Sequence, residues 1–394
     1  MRTRPLVVAL CLALGPAVSV GMARFAYGLI LPAMREDLSW SYTQAGWVNT
    51  WNALGYLAGA VAVVYLVERA GPRRLFDVGM AVTGLALCAS GLVRSYGLLL
   101  ALRFISGVSG ASAFIGGGAL ATRLTSTYPE RTAAIIAIYF AGGGVGILLA
   151  GVTLPFLFAW RGPGAWNEAW IGLGVASLLM AAVSRFASAR VPQTGGAAAR
   201  TRWDGRPLMA SLAGYFLFAV GSIIYMTFIV AWMRSHGASA GRVALVWGTL
   251  GAAIVVSPSL WRSALGGWRG GLTLGASSAC CAVGAALPLL STALPVMLAS
   301  AIIFGLSMFI PPAAVTAIAR RALPQAAWGP AIALYTVAFA VGQPIGPSLA
   351  GAVADATGSL HAGLLAAVVA MAAGAAAAIA QPHVVVKKAA LAAA

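Results

Sequence analysis

The chain has 394 residues, of which 61% are hydrophobic and 8% charged. Soluble domains carry about 25% charged residues, so this composition excludes an ordinary water-soluble fold and suits many membrane spans better than one oversized core. Twenty-five basic residues against eight acidic ones give a net charge of +17, but the basic residues fall in short gaps between apolar runs, the pattern of loops beside lipid and not of a nucleic-acid surface. Lys387 and Lys388 are the only lysines. A G-x-x-x-x-G-K-[ST] phosphate loop and a buried Schiff-base lysine are therefore both absent, which argues against ATP-driven pumping by this chain.

Twelve apolar runs of about 18 to 28 residues follow one another, each long enough to cross a hydrocarbon core of ~30 Å. The first six cover Leu6–Leu31, Thr43–Val67, Leu75–Leu92, Tyr96–Ala121, Thr132–Phe158 and Ala169–Phe186. The second six cover Leu208–Met233, Ala240–Leu260, Leu272–Leu290, Leu294–Ile318, Trp328–Ala354 and Leu360–Ala380. Arg2, Arg4 and the first run imitate a secretory signal with Ala17-Val18-Ser19 as a cleavage site. The run continues to Leu31, so it is expected to stay as the first span. Between spans 6 and 7, Arg185 to Pro207 holds five arginines and is the only long polar linker. The expected organisation is an N-terminal six-helix bundle over 1–188, a cytoplasmic linker over 189–207, a C-terminal six-helix bundle over 208–381 and a cytoplasmic tail over 382–394.

With both termini in the cytoplasm, 18 basic residues fall on the inner side and five (Arg35, Arg94, Arg161, Arg234, Arg242) on the outer side. That asymmetry sets the orientation by the positive-inside rule. Abundant Arg, Ala and Gly with almost no Lys fits a GC-rich bacterial genome, hence a multi-pass protein of the cytoplasmic (inner) membrane. Cys11, Cys88, Cys280 and Cys281 lie inside apolar runs without metal-ligand spacing and read as small buried hydrophobes.

The halves repeat. Gly142, Gly146 and Gly151 of span 5 match Gly342, Gly346 and Gly351 of span 11 at an offset of 200, and Gly21 and Gly221 keep that offset. Two parallel six-span repeats with a site between them is a transporter plan. In span 11, Pro347 follows Gly346, whereas Ile147 stands at the equivalent place in span 5. Both stretches read as bending and packing devices, as do Gly107 and Gly110 in span 4.

Several stretches resemble the major facilitator superfamily. Glu68-Arg69-Ala70-Gly71-Pro72-Arg73-Arg74 is similar to its inner-loop signature, departing at Val64, where a glycine belongs, and at Glu68, where an aspartate belongs. Arg103 followed by Gly107 resembles its helix 4 signature. Gly21 to Gly28 with Leu31-Pro32, Asn52 to Tyr56, Trp247, Ser257-Pro258 and Gly342 to Pro347 resemble the YbfB/YjiJ-type transporters. The resemblance implies an all-α membrane protein of twelve helices in two six-helix bundles that rock around a site near the midplane. It also implies that Glu68, Arg69, Gly71, Arg73 and Arg74 form a cytoplasmic gate; the bland alternative is a solvated positive loop. The similarity covers nearly the whole chain and carries no substrate.

No Asp, Glu or His lies in the middle third of a span, which weakens any proton-relay reading. The charges inside spans are Arg24 and Arg103, and a membrane-centred arginine costs on the order of 2.5–3.5 kcal/mol. By helical rise both lie ~10 Å below the outer surface, level with Asn49 and Asn52, which share a face. Tyr27 follows Arg24 by one turn, and Tyr225 and Gln343 sit at similar depth in the other half. These seven residues form a candidate layer that pairs arginine with an anionic group, most simply a carboxylate. Arg103, being part of the signature, also fits a packing role.

The expected function is secondary transport of a small organic solute, an anion or carboxylate, by a monomer in the lipid bilayer. No catalytic residue, metal, cofactor or nucleic-acid partner is expected. The alternative of the same fold is a drug or amphipath exporter. A rhomboid-like protease fits Gly107-Val108-Ser109-Gly110 but lacks a buried histidine base. A soft-metal carrier would use Met226, Met233 and His236, and a transport-inactive sensor would differ only in flux.

Overall fold

The computed structural model describes residues 5–191, 205–324 and 327–383. The expected linker therefore lies mostly outside the described residues, as do Arg2, Arg4 and the tail lysines. The described chain is helical, with no strand among the described residues.

Long apolar stretches shed their backbone polarity by internal hydrogen bonding, which in a bilayer only helices and closed barrels achieve. The helices are α1 (Pro5–Asp37), the run Tyr42–Ser90, α4 (Tyr96–Thr127), α5 (Thr132–Arg161), α6 (Trp166–Ser188) and α7 (Met209–Ser235). They continue as α8 (Ala240–Leu260), α9 (Leu272–Leu290), α10 (Leu294–Ala322), α11 (Trp328–Thr357) and α12 (Leu360–Ile379). Gly71 at φ 74° and ψ 154° breaks the 49-residue run Tyr42–Ser90 into α2 before it and α3 after it. That conformation is open to glycine and costly for a side chain. Twelve apolar helices result among the described residues.

Serines start four of the helices. Ser41 and Gln44 form a reciprocal capping box at α2, and Ser95, Ser239 and Ser359 accept a backbone N–H at the starts of α4, α8 and α12. Several limits differ from expectation, two of them for a reason that bears on the site. α1 runs through Pro32 to Asp37 instead of stopping at Leu31; the proline takes one N–H donor from the ladder without ending the helix. Arg24 is consequently 13 residues from the end of α1 and nearer mid-membrane than the shorter span implied. α10 breaks at Phe309, since Pro311 and Pro312 withdraw two N–H donors from the ladder.

α1 to α6 form one bundle and α7 to α12 the other. α1 and α7 are the central pair: the apolar windows of their helices are 72% and 89% buried, against 33% for that of α6. The bundles meet along α2 with α11, along α5 with α8, and at α1 with α7. A Cβ on Gly142 or Gly146 would lie 1.9 Å from the Ala13 carbonyl oxygen or 2.3 Å from that of Ala17. A Cβ on Gly342 or Gly346 would lie 2.7 Å from the Phe216 oxygen or 2.5 Å from that of Val220. α5 thus packs on α1 as α11 packs on α7, by small residues that let backbones touch.

The same pairs correct one detail of the repeat. Phe216 follows Ala13, and Val220 follows Ala17, by 203 residues in each case, so α1 maps onto α7 with that offset and not 200. Gly21 abuts Gly146 on α5, whereas Gly221 abuts Ala367 on α12, so the two are not equivalent.

Candidate functional site

The mid-membrane layer is built where α1 departs from regular geometry. Residues Ala17–Phe25 form a π-helix, with the Ala26 amide bonded five residues back to the Gly21 carbonyl at 2.9 Å. Such widened turns occur frequently at functional sites, and this one ends at Arg24 and Phe25.

Arg24 is 5% exposed. Its Nε donates to Asn52 Oδ1 at 3.3 Å and its Nη1 to Gln343 Oε1 at 2.7 Å. The guanidinium stands over the Tyr56 ring, 4.3 Å from its centroid. Its Nη2 and the Gln343 Nε2 are buried without a partner among the described residues. A charge from the first bundle is thus held by two neutral amides and a ring, one amide belonging to the second bundle, and two donors remain unused at this junction.

Asn52 also donates to the Arg103 carbonyl at 3.1 Å. Asn49 crosses the bundle interface, donating to Thr227 Oγ1 at 2.7 Å, and Thr50 donates to the Pro344 carbonyl at 2.9 Å. Arg24, Asn49, Asn52 and Gln343 therefore share the junction between bundles.

The other three expected residues point elsewhere. Arg103 is 0% exposed and donates to the Ala23 carbonyl, with its guanidinium 4.7 Å from the Trp170 ring centroid, inside the first bundle. Tyr27 donates to the Ala45 carbonyl at 2.7 Å and stacks on Trp170. Tyr225 bonds Ser300 at 2.8 Å and stacks on Phe304, inside the second bundle.

Sequence reasoning missed Tyr56, Thr227 and Asp355. Tyr56 stands one turn after Asn52 on the same face of α2, a spacing that could have revealed it. Asp355, at the end of α11, accepts from the Tyr42 and Thr43 amides at 2.8 Å each, binding the start of α2 across the bundle interface. A carboxylate on a helix N-terminus gains from the unsatisfied amides and the dipole there. These cross-bundle bonds run from mid-membrane toward the distal face, opposite the face where α1 begins and α12 ends.

On that terminal face, Glu68, Arg69 and Arg74 are exposed. Arg73 lies 3.7 Å from Asp77, which also accepts from Ser188 at 2.8 Å. All four ion pairs among the described residues lie within the first bundle. Gly107 packs at the α2 backbone, where a Cβ would meet the Asn52 oxygen at 2.1 Å, and Gly110 faces Ser19 at ordinary contact. The Pro347 carbonyl faces Gly46. No group of three or more His, Cys, Asp or Glu side chains comes together among the described residues.

Two six-helix bundles around a polar mid-membrane junction define a transporter of the major facilitator type. Residues 16–380 match the family described as "Uncharacterised MFS-type transporter YbfB", and the chain belongs to it. It is a family of transporters, not of enzymes. The chain is 33% identical over 137 residues to the "Cephamycin export protein CmcT" of Amycolatopsis lactamdurans, covering 33% of this chain and 27% of that protein. It is 26% identical over 147 residues to the "Probable sulfoacetate transporter SauU" of Cupriavidus necator, covering 37% and 33%. The alignments span about a third of those relatives. A bacterial homologue of the human lysosomal transporter Spinster, solved inward-facing and occupied, superposes with a TM-score of 0.74 at 16% identity, covering 96% of this chain and 97% of that one. That likeness is one of fold.

Proposed function

We propose that this chain carries a small organic anion, a carboxylate or sulfonate, by alternating access, with Arg24 and Gln343 as its anchor. The observation that carries the reading is the state of Arg24. It is buried, lacks an acidic partner among the described residues, and leaves Nη2 unused beside the unused Nε2 of Gln343. Two adjacent donors suit the two oxygens of one acid group, and charge-assisted bonds are about twice as strong as neutral ones. The ligand would join the bundles through the same pair that now joins them directly, so binding and rocking act on one contact. The resemblance to the probable sulfoacetate transporter SauU supports the anionic class, and that to the cephamycin exporter CmcT keeps amphipath export as the second reading.

The terminal face is cytoplasmic in this proposal, since it carries most of the basic residues, and the membrane is the bacterial inner membrane. Glu68, Arg69, Gly71, Arg73 and Arg74 close that face in the opposite conformation, and the protein works as a monomer. The test is a thermal-shift screen of purified protein against organic anions, amines and amphipathic drugs. Stabilisation by carboxylates or sulfonates that is lost in Arg24→Gln supports the reading; stabilisation by cations alone, or an unchanged response in that variant, rejects it.

A further inference from the structure

Eleven residues after Arg24, about three helical turns and ~16 Å further along α1, Arg35 falls on nearly the same face. It opens into a distal cavity of about 350 Å³ between the bundles, lined by the ends of α1, α5 and α7 and the starts of α2 and α8. The walls are apolar, with Leu29, Pro155, Phe158 and Val243 among them. The charged groups at the cavity are Arg35, Arg234 and Glu36, a net positive set. Arg35 stacks over Tyr42, 3.8 Å from the ring centroid, and its Nε is buried without a partner among the described residues. Arg234 uses Nη1 on the Ala238 carbonyl at 2.9 Å.

Between this cavity and Arg24, α1 touches α7: a Cβ on Gly28 would lie 2.4 Å from the Met226 oxygen. Backbone contact there separates two arginine stations on one helix. Tyr42 links the distal station to the bundle junction, because its ring carries Arg35 while its amide is held by Asp355.

We propose that the distal cavity is a second station for organic anions, taking a carboxylate or sulfonate on an apolar body of about one aromatic ring. Arg35 supplies the buried donor, Arg234 the second charge, and the α5 and α8 walls take the apolar part. The station shares its ligand class with the function proposed above but none of its residues. An anion leaving or approaching Arg24 by the distal route meets a positive site before water, which raises its local concentration at the mouth.

The test is calorimetric titration of the full chain in lipid nanodiscs with benzenesulfonate, with benzenesulfonamide and benzylammonium as neutral and cationic controls. Benzenesulfonate binding at the distal station weakens roughly 10- to 150-fold in Arg35→Gln, as expected for one charged hydrogen bond, and stays unchanged there in Arg24→Gln. Val243→Trp, which fills the cavity without touching a charge, abolishes the same binding and carries the test if Arg35→Gln does not fold. Binding that disappears only in Arg24→Gln overturns the distal station and leaves the proposed function standing. Binding that disappears only in Arg35→Gln and Val243→Trp confirms the station, and the Arg24 anchor stands or falls by the thermal-shift screen. No saturable benzenesulfonate binding in the millimolar range, or equal binding of the two controls, overturns the station.

Discussion

Arg24 and Arg103 carry the same charge, lie in the same bundle and are almost equally buried, yet they do different things. Arg103 stays inside its own bundle, on the Ala23 carbonyl and over the Trp170 ring, with its Nε and Nη1 unpartnered among the described residues. Arg24 reaches out of it, to Gln343 of the other bundle. Burial alone does not separate a structural arginine from a working one; the partner does. A contact that stays within one rigid body survives rocking, whereas a contact between bodies must break when they move.

The largest effect expected from this contrast is at Arg103. Arg103→Ala should cost about 3–5 kcal/mol of stability, from a cavity among fully buried side chains and an orphaned carbonyl, read as loss of folded protein in detergent. Arg103→Met, which keeps the volume, should lose less. Arg24→Gln should leave folding intact or improve it, because a buried charge is a burden without a ligand, while anion affinity falls by on the order of 1.5–3 kcal/mol. A variant pair with these outcomes exchanged would reverse the two roles.

Next comes the distal junction. Asp355→Asn keeps one acceptor for the Tyr42 and Thr43 amides and removes the charge, weakening the distal closure by about 1.5–2 kcal/mol. Double electron–electron resonance across the distal face should then show the longer distances gaining population; unchanged distributions would leave Asp355 as a helix cap only. Glu68→Gln should not disturb the present arrangement, in which Glu68 is exposed, and should act on the opposite one. The smallest effect is at Asn49→Ala, where one neutral bond to Thr227 is lost, about 0.5–1.5 kcal/mol, detectable as a shift of a degree or more in melting temperature.

Much of the architecture was legible because apolar runs and polar gaps have few other solutions in a bilayer. The expected limits of the eighth and ninth spans, Ala240–Leu260 and Leu272–Leu290, are those of α8 and α9. Depth counting along ideal helices brought Arg24, Asn52 and Gln343 to one level, and they meet. It could not assign azimuth, so Tyr225 and Arg103 were placed at the right height but face the interiors of their own bundles. The π-turn of α1 has no periodicity to announce it, and it shifts every later residue around the helix. Asp355 reads as a lone end-of-span carboxylate until the start of α2 is set beside it. The offset of 203 between α1 and α7 was hidden by glycines that match at 200 for unrelated reasons, Gly21 serving α5 and Gly221 serving α12.

The central claim is that Arg24 recognises an anion through its charge and its planar fork. The direct measurement is counterflow in proteoliposomes of the acid that best stabilises the purified protein, compared among the unmodified chain, Arg24→Gln and Arg24→Lys. The account predicts flux in the unmodified chain, none in Arg24→Gln, and partial flux in Arg24→Lys, since an ammonium restores charge without the bidentate geometry. Counterflow by Arg24→Gln at the unmodified rate would contradict it and return Arg24 to a purely structural bridge between Asn52 and Gln343.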